Sequence, residues 1–177
     1  AISGDYILVG AYNDDDYASS SGAAYVCYKD QGGADNWGEV KKLTVADGIA
    51  NHYLGTKVSL SGDLAVLSAT GDGDNGTNAG AAYIFSKDQG GANNWGLVKK
   101  ITASDGAAND AFSYGMGING SNLIVSAYLD DDNGSNSGSI YVFRQNQGGA
   151  NNWGQVEKLT PSDGEASDYF AMYAAIN

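Results

Sequence analysis

An octapeptide, Gln31-Gly32-Gly33-Ala34-Asp35-Asn36-Trp37-Gly38, returns almost unchanged at residues 89–96 and 147–154. Its tryptophans, Trp37, Trp95 and Trp153, are 58 residues apart both times. The same offset carries Gly22 to Gly80 and Gly138, Tyr25 to Tyr83 and Tyr141, and Thr44 to Thr102 and Thr160. Self-similarity at a fixed period restricts a chain to repeat architectures, in which each unit is one supersecondary element and neighbours stack to bury a shared core. Three periods take up nearly all of the 177 residues, and the remainder shows as overlap, Ala1-Ile2-Ser3 matching Ala175-Ile176-Asn177. We therefore read one repeat domain over residues 1–177, with units of about 1–58, 59–116 and 117–174 plus an overlapping terminal strand.

Within a unit the apolar residues alternate or form short runs, without helical spacing. The second unit predicts strands at Leu54–Leu60, Leu64–Ala69, Ala81–Ser86 and Leu97–Thr102, and Phe112–Ile118 opens the next unit. Ser61-Gly62-Asp63 is a tight turn, an acidic loop joins the second strand to the third, and the octapeptide makes the last hairpin. Alternation places Tyr83 and Phe85 on one face of their strand. Four antiparallel strands per unit, repeated radially, describe a propeller blade; a solenoid has shorter repeats with one or two strands per turn. The expected fold is all-β, with three four-stranded antiparallel blades. Composition agrees, since 26 glycines and one proline suit tight turns, and 42% hydrophobic residues with 12 tyrosines supply a core.

Several short segments carry a family resemblance. Phe112-Ser113-Tyr114-Gly115-Met116 and Leu54-Gly55-Thr56-Lys57-Val58 stand where FG-GAP repeats have their Phe-Gly opening, and Val9-Gly10-Ala11-Tyr12 stands for Gly-Ala-Pro. Gly22-Ala23-Ala24-Tyr25-Val26, with its counterparts at Gly80 and Gly138, precedes the third strand. The chain thus resembles FG-GAP repeat proteins, best known from the propeller heads of integrin α subunits, over essentially its whole length. The resemblance implies a propeller; it does not name a function, because one fold serves many. Integrin blades carry an Asp-x-Asp-x-Asp-Gly calcium loop between the first and second strands. Here that connection is only Ser61-Gly62-Asp63 or Asn119-Gly120-Ser121, too short to wrap an ion that takes six to eight oxygens.

The 21 acidic residues outnumber nine basic ones, for a net charge of −12, which argues against nucleic acid and anionic membranes as partners. No apolar run is long enough to span a bilayer. In a four-stranded meander the second-to-third loops (13–21, 71–79, 129–137) and the loops into the next unit (45–53, 103–111, 161–169) emerge on one face. The first set holds Asp14, Asp15, Asp16, Asp72, Asp74, Asp130, Asp131 and Asp132, and the second Asp47, Asp105, Asp110, Asp163, Glu165 and Asp168. Those 14 of 21 acids share their loops with no Lys or Arg, which predicts a strongly anionic rim. The outer aspartates of each cluster, Asp14/Asp16, Asp72/Asp74 and Asp130/Asp132, recur in all three units. Such a pair can turn two carboxylates toward one point, which suits a hard cation, so calcium is the expected ligand of these six residues. Against this, Asp, Asn, Gly and Ser are also ordinary turn formers.

Other chemistry is poorly provided for. One cysteine excludes a disulfide framework and a Cys-based zinc site, and one histidine excludes a multi-His metal centre. Cys27 occupies the position of Phe85 and Phe143 and reads as a core filler. His52 replaces Asp110 and Asp168 and reads as a surface variant of the rim. A Ser-His-Asp hydrolase lacks its elbow sequence, and acids repeated three times in loops do not resemble a unique glycosidase pair. The three tryptophans read as packing between blades before they read as sugar platforms. We expect no enzyme, but an extracellular or cell-surface binding or adhesion module. The alternative is a structural subunit of a surface layer or filament, with a lectin or glycosidase less supported.

Propellers use four to eight blades, so three must be closed by a second copy or by further repeats. The first unit keeps only Ala1-Ile2-Ser3 of its opening strand, whereas Phe170–Ile176 reads as a spare one. A homodimer exchanging that strand would make a six-bladed ring. The expected partner is therefore another protein or another copy of this chain.

Overall fold

The computed structural model describes residues 1–176, so Asn177, which the repeat matches to Ser3, lies outside the described residues. These residues form twelve strands and no helix. They are β1 (Ile2–Ser3), β2 (Tyr6–Ala11), β3 (Ala23–Tyr28), β4 (Gly38–Leu43), β5 (Leu54–Ser61) and β6 (Leu64–Ala69). β7 (Ala81–Ser86), β8 (Gly96–Ile101), β9 (Phe112–Asn119), β10 (Asn122–Ala127), β11 (Ser139–Gln145) and β12 (Trp153–Leu159) follow. They pair in chain order into three separate four-stranded antiparallel sheets, β1–β4, β5–β8 and β9–β12. Each sheet is one propeller blade, and the ring is not closed within this chain. No helix among the described residues is long and apolar enough to cross a membrane.

Period-two alternation explains how the blades stack. In β6, Ala65, Leu67 and Ala69 join Tyr83, Phe85 and Trp95 in a core shared with Leu8, Val26 and Leu43 of the first blade. Val66 and Ile84, pointing the other way, join Ile101 in a second core with Leu123, Tyr141, Phe143 and Trp153 of the third. The hydrophobic interior therefore lies between sheets, and each sheet is apolar on both faces. The third and fourth strands slip by one residue at the same place in every blade, after Val26, Ile84 and Val142. A bulge of this kind sharpens the local twist of a strand pair.

Gly22, Gly80 and Gly138 mark the closest approach between blades. Each has positive φ, at 82°, 88° and 86°. A Cβ on any of them would fall on backbone atoms of Leu54, Phe112 or Phe170 in the following unit. Gly22 and Leu54 form an isolated parallel bridge there. The recurrent glycine is thus a contact between units, at which only a residue without a side chain fits.

Two expectations require correction. Phe170–Ile176 forms no strand: it packs against β9 close to Gly115 and Gly117, and among the described residues it has no partner strand of its own blade with which to form a hydrogen-bond ladder. Cys27 is half-buried where Phe85 and Phe143 are buried, because among the described residues no sheet covers that face of the first blade. The tryptophans divide in the same way: Trp95 and Trp153 are 1% and 2% exposed between blades, whereas Trp37 is 40% exposed.

Candidate functional site

The two loop sets do meet on one face, tied by backbone hydrogen bonds. Asn51 N–H donates to the Ser19 carbonyl at 2.8 Å, Asn109 to Thr77 at 2.9 Å and Ser167 to Ser135 at 2.8 Å. Asp15 and Asp131 close their own loops, accepting from the Ser20 and Asn136 N–H groups at 2.6 and 2.7 Å. Tyrosines border these loops: Tyr12, Tyr17 and Tyr169 are exposed, Tyr12 stacks near Tyr53 at 6.3 Å and Tyr128 near Tyr169 at 6.2 Å.

The outer aspartates converge, and the group they surround is a lysine ammonium. In the third blade Lys158 Nζ is 3.0 Å from Asp130 and 2.6 Å from Asp132, and 2.8 Å from Asp105 of the preceding loop. Tyr141 Oη shares its one proton between Asp105 at 2.9 Å and Asp130 at 3.0 Å, and its ring lies under Nζ. In the second blade Lys100 reaches Asp72 and Asp74 at 2.7 Å and Asp47 at 3.1 Å, with Tyr83 on Asp47 and Asp72. The first blade repeats the arrangement with Lys42, which contacts Asp16 and lies 2.7 Å from Asp14, while Tyr25 donates to Asp14 at 3.1 Å. Asp47 and Asp105 come from the loops that follow the previous blades, so two of these clamps bolt neighbouring sheets together.

The electrostatics follow from this geometry. The hydrogen bond from Lys42 holds the Asp14 carboxyl below the usual carboxylate range. Burial alone would raise Asp72, but hydrogen bonds from His52 and Lys100 outweigh it and hold that carboxyl well below its ordinary value. Asp47 and Asp105 are lowered in the same way, against burial, by their lysine and tyrosine donors. Burial and the adjacent carboxylates push the Tyr83 and Tyr141 hydroxyls up, which keeps them as donors.

His52 corrects another expectation. It is 1% exposed, not a surface variant, and its Nε2 donates to Asp72 at 2.8 Å beside the Tyr83 ring. The loop from the first blade folds over the second and carries His52 under it, and Nδ1 is left without a partner. Asp110, its counterpart in the next unit, is also buried, and burial together with the charges of Asp130 and Asp131 raises its carboxyl.

These contacts bear on the calcium expected from the sequence. Among the described residues no three His, Cys, Asp or Glu side chains stand in metal-ligating geometry. Asp14, Asp16, Asp72, Asp74, Asp130 and Asp132 all direct an oxygen at an ammonium, so the donor set as folded does not fit a calcium ion. Sequence reasoning located the aspartates and missed the lysines. A signal existed: Lys42, Lys100 and Lys158 recur in every unit, whereas the preceding position changes from Lys41 and Lys99 to Glu157.

The opposite face carries the octapeptide hairpins. Between the first two blades they border a cavity of about 530 Å³ lined by Tyr6, Tyr28, Gln31, Lys87, Asn93 and Trp95. Lys87 Nζ lies over the Tyr6 ring at 5.0 Å, so the aromatic surface there already holds a cation.

A sequence model described as FG-GAP repeat matches residues 1–27, 37–85, 95–143 and 153–177. The stretches it passes over, 28–36, 86–94 and 144–152, are the hairpins between the third and fourth strands. No curated protein matches the chain.

Proposed function

Because the chain belongs to the FG-GAP repeat family, whose repeats build propeller-type binding modules, we propose that it is an extracellular, non-catalytic module that binds a basic partner through its loop face. The observation that supports this is the imbalance left on that face after the clamps are made. Three lysines answer 14 acids, and Asp15, Asp16, Asp74, Asp131 and Asp132 remain exposed. Exposed tyrosines stand among them, so a Lys- or Arg-rich segment meets both carboxylates and ring faces. The clamps themselves are structural: their lysine ammoniums stand among the paired aspartates and tie the loops together.

Titrating a lysine-rich peptide into the protein tests the reading. Saturable binding is expected, weakening steeply with salt because exposed charges are screened beyond about 10 Å at 0.1 M. Asp15→Asn and Asp131→Asn keep the loop-closing acceptors and remove two charges, and together should weaken binding by about tenfold. Equal binding of a glutamate-rich peptide, or none of either at low salt, would sink the proposal.

A further inference from the structure

The hairpins opposite the acidic loops are nearly identical in sequence, and one exchange within them changes the charge of a cavity. In the first unit the Asp35 carboxylate lies 2.9 Å from the Lys29 ammonium. The second unit keeps the lysine as Lys87 but has Asn93 in place of Asp35, and the third has Gln145 and Asn151. Among the described residues Lys87 keeps one ion pair, with Asp63 at 3.6 Å, and that carboxylate is 65% exposed. Asp88, next in sequence, accepts the Asn93 N–H at 2.9 Å.

Lys87 and Asn93 both line the cavity between the first two blades. Its apolar wall comes from both sheets: Tyr6 and Tyr28 lie 5.0 Å apart on β2 and β3, and Trp95 meets the Tyr6 ring edge-on at 5.4 Å. Trp95 is buried, Tyr6, Tyr28 and Val40 are half-buried, and Gln31 and Asn93 are exposed. The depth is therefore apolar, and the amides stand at the mouth. At the next junction Leu64 and Ser86 occupy the places of Tyr6 and Tyr28, and Gln145 that of Lys87. The aromatic wall and the weakly paired cation thus occur together between the first two blades. At about 530 Å³ the cavity has the size of a small-molecule site.

We propose that this cavity binds a small aromatic carboxylate, its ring against Tyr6 and Tyr28 and its carboxylate on the Lys87 ammonium, as the Asp35 carboxylate sits on Lys29. The tyrosine rings suit a flat apolar body, and an ammonium with two amides suits a carboxylate, which accepts from all three. A sugar acid would meet the same cation but carry hydroxyls into the apolar depth, where burial without partners is costly. The acidic loops lie on the other face, so this inference does not rest on the partner proposed above.

Calorimetric titration at low salt should show saturable binding of naphthoate, and about tenfold weaker binding of naphthamide, which keeps the rings and lacks the charge. Asn93→Asp gives the second hairpin the carboxylate that the first already carries, so it should keep the wild-type far-UV spectrum. That carboxylate should occupy Lys87 and weaken naphthoate by about tenfold. Lys87→Gln should bring the acid to the affinity of the amide, and Tyr28→Ala should weaken both by about fivefold. The proposal is overturned if naphthoate does not bind, if the amide binds as well as the acid, or if galacturonate binds more tightly than either. Wild-type affinity in both Asn93→Asp and Tyr28→Ala overturns it as well.

Discussion

His52, Asp110 and Asp168 occupy one position in successive units, yet their surroundings differ. His52 donates to Asp72, the carboxylate of the next blade's clamp. Asp110 faces the equivalent Asp130 with a carboxyl of its own, and uses it to accept the Ala107 N–H at 2.7 Å. A carboxyl whose folded pKa is raised favours folding while it is protonated and loses that contribution as pH rises through the folded value. Asp110→Asn keeps the acceptor without the charge. It should stabilise the protein at pH 7 by about 1 kcal/mol. The gain should vanish below about pH 4, where the wild-type carboxyl is protonated in both states. Thermal melts of the two proteins across that range check it, and a gain independent of pH would refute the electrostatic cause.

At the scale of strands and loops, the clamp is what the chain does with three aspartates, a tyrosine and a lysine. Removing the ammonium leaves the buried Asp130 without its cation, while Asp105 and Asp132 are about half exposed and screened by water, so the cost is about 1–3 kcal/mol. Lys158→Met should therefore lower stability by that order and create a demand for a cation that Asp105, Asp130 and Asp132 can meet. Calcium should raise the melting temperature of this variant saturably and leave the wild type unchanged, since a ligand stabilises only the state that binds it. A saturable calcium shift in the wild type would instead show that the rim binds the ion as folded.

Much of this level was legible beforehand. β6 and β7 have the bounds that alternation predicts, because their side chains settle on two blade interfaces and a slip of one residue would exchange them. The position of the loop face followed from strand order alone. The clamp did not, because it joins residues 28 positions apart through the loop geometry of one blade and 53 positions apart through the stacking of two sheets. His52 and Cys27 were misjudged for a related reason. Position within a repeat specifies a neighbourhood only when the adjoining sheet is the same: Cys27 is not covered as Phe85 and Phe143 are, and the position shared by His52 and Asp110 is buried where a blade follows, while Asp168 is exposed.

For the molecule as a whole, the clamps set how stability varies with pH. Asp14, Asp47, Asp72 and Asp105 all have carboxyls depressed below the unfolded value of about 4. Groups of this sign contribute fully above the unfolded pKa, and the contribution is lost as pH falls through the folded values. Unfolding by urea should thus require steadily less denaturant below about pH 4, while the midpoint changes little between about pH 6 and 8. A midpoint that is flat down to pH 3 would mean that the lysine contacts add nothing.

Asp47 and Asp105 also bear on how such a chain can lengthen. Every unit that carries a full set brings its own lysine, tyrosine and aspartate pair, and ends with the carboxylate that the next unit requires. Copying 58 residues of the gene in frame therefore adds a blade whose charges are already answered on both sides, with no compensating substitution. The same holds for loss of a unit. Blade number in a protein built this way is free to change by duplication and deletion, and only the geometry of ring closure restrains it.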